Sequence, residues 1–432
     1  MSRRRIQEKL VVVLGMFYSY GTLFAALKAD TGDAASTLAL VGSMRDFIFG
    51  LSNAPAGFLV RRVGFVRMPA IGAVVLLVGM LADSLAPSSH FLFLSCSLVG
   101  GVSMSAIFTP ASTVLYGRAG RRFLPVAVGL ASSGAGLGTI LVNLGLDTLL
   151  DTYSWREAWR ICCAAFCPML LGATLALRWG LRHQQHEDNH SNAEYQELKS
   201  GSPVRDFFQP FRDWQFVLLN IALLFYSVGF MVPYTHLVYY AEAERGLQIA
   251  GDLTSLLGGA GTLARLCFGL FSAFVPPSRL LLAMLAVQGA SLIWLPFCTG
   301  ATELKAFAAI YGFSSGGRVV LLSLVLNELF DPERVAHLYG LAGVPIAVGT
   351  LLGPSLVGIV YDLSGSYQNA FFTAGAIVLM AVPVFGFVIL KKSKPSLSPK
   401  PQEELGSPSS DCERGRPQSS DSSPATPSKC SL

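Results

Sequence analysis

The chain has 432 residues, of which 52% are hydrophobic and only 14% charged, against roughly 45–50% and about 25% in an ordinary soluble domain. The deficit of charge runs along nearly the whole length and excludes a soluble enzyme, a nucleic-acid binder and a disordered scaffold. The net charge of +5 does not argue for nucleic acid either, because the basic residues are scattered through short loops.

The basic start Arg3–Lys9 leads into a long apolar run with no small-residue cleavage site, which reads as a first spanning helix. A bilayer core about 30 Å thick needs about 20 apolar residues per helix. That ruler predicts twelve spans, first over Leu10–Leu27, Ser36–Val60, Met68–Leu85, Phe91–Tyr116, Phe123–Leu146 and Ala158–Leu181. The second six cover Trp214–Tyr240, Leu253–Val275, Leu280–Phe297, Leu304–Leu329, Val335–Tyr361 and Ala370–Leu390.

Between the halves, His183–Asp206 is hydrophilic and reads as a linker. Residues 391–432 hold 12 Ser, 7 Pro and no aromatic side chain, a composition that cannot bury a core. The expected organisation is a six-helix bundle over 1–182, a cytoplasmic linker over 183–213, a second bundle over 214–390 and a disordered cytoplasmic tail over 391–432. The expected class is an all-α membrane protein with twelve transmembrane helices in two bundles.

Basic residues set the orientation. With the N-terminus inside, Arg61, Arg62, Arg67, Arg118, Arg121 and Arg122 join the N-terminal cluster on the cytoplasmic side, while only Lys28, Arg156, Arg160, Arg245 and Lys305 lie outside. Both termini are therefore expected in the cytoplasm, and the sequon at Asn189 falls in the linker, where it is not glycosylated. Six of the eight cysteines lie in apolar stretches and behave as small hydrophobes. The ending Cys430-Ser431-Leu432 is one residue short of a prenylation box. No Cys/His spacing calls for a metal, and nothing calls for a cofactor.

Two six-helix bundles about a linker is the arrangement of a major facilitator, with the path between the halves. The segment Gly57-Phe-Leu-Val-Arg61-Arg62-Val-Gly64-Phe-Val-Arg67 resembles that superfamily's loop between helices two and three, with Arg61 at its usual acidic position. Tyr116-Gly-Arg118 through Arg121-Arg122 to Ala127-Val-Gly129-Leu-Ala131-Ser-Ser-Gly134 resembles the fifth helix of the monocarboxylate transporters. Gly134-xxx-Gly138 also lets two backbones approach, whatever the family. Trp155-Arg156, Gly349–Gly358 and Asp362-Leu-Ser-Gly365-Ser-Tyr367-Gln-Asn-Ala370-Phe371 resemble the same family. The resemblance extends over residues 10–390 in layout. The family's acidic-glycine-aromatic opening before helix one is missing, and Arg3–Lys9 stands there instead.

A charge inside the membrane costs several kcal/mol unless it meets a cavity or a partner. Arg265 falls near the middle of predicted helix eight, and a guanidinium forks onto a carboxylate. Leu263-Ala264-Arg265 resembles the family's helix-eight segment, which implies that Arg265 receives the substrate anion. One turn earlier the family carries an aspartate thought to share in proton handling, and here that position is Gly261. Asp46 and Glu328 are the substitute acids, and Lys28 aligns with the family's proton-accepting lysine.

Arg318 is a further buried cation, and Arg45 and Asp46, as neighbours on one helix, are expected to face different surroundings. His236 reads as an interface residue rather than a proton relay. In Tyr311-Gly-Phe313-Ser314-Ser315-Gly316-Gly317, Ser315 stands near where the family's small-acid carriers align a bulky aromatic. Either it widens the path for larger cargo, or the small residues only let helix ten pack. Arg265, Lys28, Arg318, Ser315 and Phe313 are the candidate substrate-binding residues.

The resemblance implies a secondary transporter of small monocarboxylates, lactate- or pyruvate-like, at the plasma membrane, with a proton as candidate co-ion. It also implies a lipid bilayer around the chain and, as in some members, a single-span immunoglobulin-like chaperone. One alternative is an uncoupled facilitator of larger carboxylate-bearing or aromatic solutes. Another is a transporter-like receptor or scaffold working through the Ser/Pro tail.

Overall fold

A computed structural model of the chain describes residues 19–117, 138–182, 209–272, 274–330 and 335–391. The linker, the tail beyond Lys391, the first predicted span up to residue 18 and most of the helix-five motif lie outside the described residues. Among those described, every regular element is helical.

In chain order these helices are α1 (Tyr20–Thr31), α2 (Ala35–Val63) and α3 (Arg67–Ser84). Next, Ser89–Leu92, a π-helical Phe93–Val99 and Gly100–Gly117 run end to end as α4. The short Gly138–Leu150 is α5, and Trp155–Arg182 is α6. Helix α7 is broken into Trp214–Phe230 and Val232–Tyr239, followed by a π turn over Tyr240–Glu244. Then come α8 (Ala250–Phe271), α9 (Pro277–Trp294), α10 (Ala301–Gly316 and Arg318–Leu329), α11 (Val335–Ser364) and α12 (Tyr367–Leu390). Among the described residues, eight helices are long and apolar enough to cross a membrane. Helix α2 carries Arg45, Asp46, Arg61 and Arg62, which accounts for its lower hydropathy.

Helix ends are fixed by local chemistry. Gly32 takes the left-handed conformation, φ 67°, that ends α1. Asp213 and Ser366 cap α7 and α12 by accepting from the N–H groups two residues on. Three further ends are completed by carboxylates. Glu303 takes the N–H groups of Thr299 and Gly300 at the start of α10. Glu328, from the end of α10, accepts from the Ser278 N–H at 2.9 Å and its hydroxyl at 3.0 Å at the start of α9. Asp362 of α11 accepts from the N–H groups of Ala35 and Ser36, both at 2.9 Å, at the start of α2.

Apolar side chains gather in two large clusters. One is drawn from α1–α6, around Phe24, Leu38, Met80, Trp159 and Phe166. The other is drawn from α7–α12, around Phe216, Tyr226, Phe307, Tyr311 and Phe385. Tyr239 and Tyr361 lie against both. Contacts between the two sets run along α2 with α11 and α1 with the second part of α7.

Helices α8 and α10 meet backbone to backbone. A Cβ on Gly312 would run into Leu257, one on Gly316 into the Gly261 carbonyl, and one on Gly317 into the Phe268 ring. Added atoms in a filled seam cost about 1–3 kcal/mol. Gly316→Ala is therefore expected to lower the melting temperature of the purified protein, whereas Gly340→Ala, with no atom within 4 Å of the new Cβ, is not.

Candidate functional site

The charged side chains occupy three places. On α2, Arg45 and Asp46 are both buried, and the guanidinium donates to Asp46 Oδ1 from Nη2 at 2.9 Å and from Nε at 3.1 Å. This corrects the expectation that the two face different surroundings. The arginine side chain is long enough to turn back on its neighbour, and leaving two separated charges in an apolar bundle would cost far more. The guanidinium also lies over the Tyr20 ring, 5.2 Å from its centroid, a favourable cation–π placement. Tyr20 itself is anchored to the Leu38 carbonyl at 2.6 Å.

The second place is built where α7 and α10 are interrupted. The α7 break at Met231 leaves carbonyls without helical partners, and the Tyr311 hydroxyl reaches those of Gly229 at 2.7 Å and Phe230 at 3.0 Å. Gln288 of α9 completes that hydroxyl at 3.0 Å. Beside it, Arg318 opens the second part of α10 with its charge 4.5 Å from the Phe230 ring centroid and 5.9 Å from that of Tyr226. Its Nε is buried with no hydrogen-bond partner among the described residues. Arg265 is buried, 5% exposed, about two-thirds of the way along α8. It is thus farther along its helix than the sequence-based start at Leu253 suggests. Phe268, one turn on from Arg265, touches Gly317 and lies 5.3 Å from the half-buried Phe313 ring. The two arginines therefore flank one α8–α10 seam.

Ser315 is buried at that seam and shares a 2.9 Å hydrogen bond with the Tyr234 hydroxyl, while bonding the Gly312 carbonyl at 3.1 Å. Gly21, next to Tyr20, lies against the Tyr234 carbonyl. The Arg45–Asp46 pair and the Ser315 position thus reach opposite sides of one α1–α7 contact.

The third place is the end of the molecule at the α1–α2 turn, here termed the Asp33 face. Lys28 donates to the Asp33 carbonyl there and adds its charge to the surroundings of Asp362. Its ammonium belongs to this end rather than to the α8–α10 seam. Below it, His236 is fully buried with Nδ1 3.0 Å from the Tyr367 hydroxyl and Nε2 2.9 Å from the Pro354 carbonyl. A carbonyl only accepts, so Nε2 carries the proton and Nδ1 accepts from the tyrosine. Phe24 of α1 meets the His236 ring edge-on at 5.0 Å and Tyr239 at 6.0 Å, which ties α1 to α7 at this level.

Comparison with known proteins decides the family. The Major Facilitator Superfamily model matches residues 10–299 and, in a second match, 245–417. The chain belongs to that superfamily. Within it the chain is monocarboxylate transporter-like: it is 26% identical to monocarboxylate transporter 13 of Rattus norvegicus over 89% of both chains. It is 26% identical to monocarboxylate transporter 13 of Bos taurus over 91% of this chain and 94% of that one. A crystal structure of the nucleoside transporter NupG superposes with a TM-score of 0.73 at 14% identity, covering 90% of this chain and 100% of that one. That likeness shows the fold alone. The protein is a multi-pass membrane transporter of the major facilitator fold, not an enzyme.

Within this transporter, Glu328 is engaged at the start of α9, away from the Arg45–Asp46 pair. Tyr20, Tyr234, Phe230 and Asp362 had no signal in the sequence as site residues, because their roles depend on which helices face each other. The Arg45–Asp46 pair is buried and tightly bonded, so removing one charge strands the other at about 3–5 kcal/mol. Asp46→Asn is expected to destabilise the purified transporter strongly. The double substitution Arg45→Met with Asp46→Leu should recover most of the loss, as read by thermal melting.

Proposed function

We propose that the transporter carries a small monocarboxylate, lactate- or pyruvate-sized, across the plasma membrane by alternating access, together with a proton. One observation carries the reading: Arg318 stands where both α7 and α10 are interrupted, backed by two aromatic rings and with an unbonded Nε. Broken helices at depth are where transporters of this kind hold their cargo. Arg265 flanks the same seam, and a guanidinium fork suits a carboxylate. The names of the curated relatives point the same way.

The α8–α10 seam supports small cargo. The room left by Gly312, Gly316 and Gly317 on α10 is taken up by Leu257, Gly261 and Phe268 of α8, and the Ser315 hydroxyl is occupied by Tyr234. On this reading Arg265 and Arg318 bind the carboxylate, Phe313 and Ser315 border its apolar body, and Lys28 and Asp46 serve the proton. With both termini in the cytoplasm, the Asp33 face is extracellular, and the Asp362–α2 contact holds that side shut.

Uptake of a labelled carboxylate panel, with and without an inward proton gradient, tests the reading. Arg265→Lys keeps the charge but loses the fork, so affinity should fall by about 1.5–3 kcal/mol, the scale of charged hydrogen bonds. Unchanged uptake kinetics for Arg265→Ala at equal surface expression would refute the carboxylate role. Uptake is also expected to rise as external pH falls, with Lys28→Gln flattening the response. A response already flat in the unmodified chain would make the transporter a uniporter.

A further inference from the structure

Asp83 has no part in the proposed function, yet it is one of the most enclosed acids among the described residues. It is 5% exposed, next to last in α3. It lies beside Ser95 on the π-helical turn of α4 and beside the Trp159 indole of α6, with the Arg45 guanidinium near enough to act on it. Its Oδ1 and the Trp159 Nε1, both buried, complete no hydrogen bond among the described residues.

The charges around Asp83 do not balance in favour of an anion. From α2 it faces Arg45, whose fork is already closed on Asp46 Oδ1. Cys96 of α4 adds no positive charge, nor does Tyr20 of α1. From α6, Arg160 is exposed and donates instead to Ser84 at 3.2 Å. The cluster thus sets two carboxylates against one enclosed guanidinium. Asp83 also sits at the carbonyl end of α3, where the helix dipole opposes a negative charge. Arg45, already shared with Asp46, offsets only part of the cost of a bare carboxylate here, and a bound proton removes the rest. A π turn facing the acid is a further mark of a working position rather than a filled core.

A cavity of about 290 Å³ on the Asp33 face is lined by Asp33, Ala86, His90, Leu92, Trp155 and Arg156. Ala86 bonds back to the Asp83 carbonyl at 3.1 Å, and Trp155 is one turn above Trp159 on α6. The cavity thus borders the residues that follow Asp83 on α3 and precede Trp159 on α6.

We propose that Asp83 is a proton-binding site, occupied by a proton in the arrangement described here and loaded through that cavity. As the carrier of the coupled proton it rests on the proton-coupled reading above; as a binding site it does not. The proton binds one carboxylate oxygen from water and returns to water, with no other bond changed.

Infrared spectroscopy of the purified full chain in lipid nanodiscs tests the site without any transport. The unmodified protein should show the carbonyl stretch of a buried, weakly bonded carboxylic acid that bleaches in alkaline buffer. Asp83→Asn should remove the band, and Trp159→Phe should move its frequency, which keeps the test alive should Asp83→Asn fail to fold. A band that survives Asp83→Asn, or that stays unmoved in Trp159→Phe, overturns the proposal. In proteoliposomes, gradient-driven uptake in Asp83→Asn should drop to its own equal-pH level. If the band follows Asp83 while unmodified uptake ignores the gradient, the site stands and the coupled reading fails.

Discussion

The architecture depends on how a few charges are tolerated inside an apolar helix bundle. Each would cost several kcal/mol in hydrocarbon if left to itself, and each is met in a different way. Arg45 and Asp46 close on one another within one helix, and the guanidinium also lies over the Tyr20 ring of α1. Arg318 is held against the faces of Phe230 and Tyr226, which offsets charge while leaving a donor available. Asp362, exposed at the Asp33 face, accepts from the two backbone N–H groups that open α2, a contact made only while α2 and α11 are together at that end.

The Arg318 platform shows how much of the core is needed to present one guanidinium. Gln288 holds the Tyr311 hydroxyl, Tyr311 holds the carbonyls freed by the α7 break, and that break fixes the Phe230 ring under the cation. All of these groups lie in the larger apolar cluster or directly against it. Removing any link frees a buried carbonyl or hydroxyl, which explains why tyrosines sit where phenylalanine would pack equally well.

Much of the fold was legible in the sequence because membrane helices announce themselves by length and composition. The starts of α2 and α3 were expected within one residue of where they lie, and the end of α12 at Leu390 was expected outright. The breaks in α7 and α10 were not foreseen, although Pro233, which has no N–H for the Gly229 carbonyl, and the Gly316-Gly317 pair stand beside them in the sequence. Arg265 and Arg318 were visible as charges in apolar runs. Their shared seam was not, because it arises from Gly261, Gly312, Gly316 and Gly317 meeting across two helices. Arg45 and Asp46 were visible too, but the helical-wheel argument that separates adjacent residues does not apply to a side chain long enough to fold back. Asp83 was hidden in plain composition: an acid close to a helix end reads as a rim residue until the burial by α4 and α6 is seen.

The same seams suggest which parts move under the proposed alternating-access cycle. Helices α8 and α10 interlock by backbone contact, with no lubricating side chains between Gly261 and Gly316, so Arg265 and Arg318 travel as one piece. At the Asp33 face Gly358 of α11 also meets the Ala35–Ser36 backbone of α2, and the remaining contacts are individually weak. Two N–H bonds to Asp362 and the edge-on meeting of Phe24 with His236 and Tyr239 are each worth about 0.5–2 kcal/mol. Two conformations of one protein commonly differ by a few kcal/mol, and a carboxylate gained by two guanidiniums supplies energy on that scale. Binding at the seam can therefore outweigh the closure of the Asp33 face without disturbing the helices that hold the cargo. Under the proposed cycle, carboxylate binding has to exceed both these bonds and the Gly358 packing that holds α11 against the start of α2.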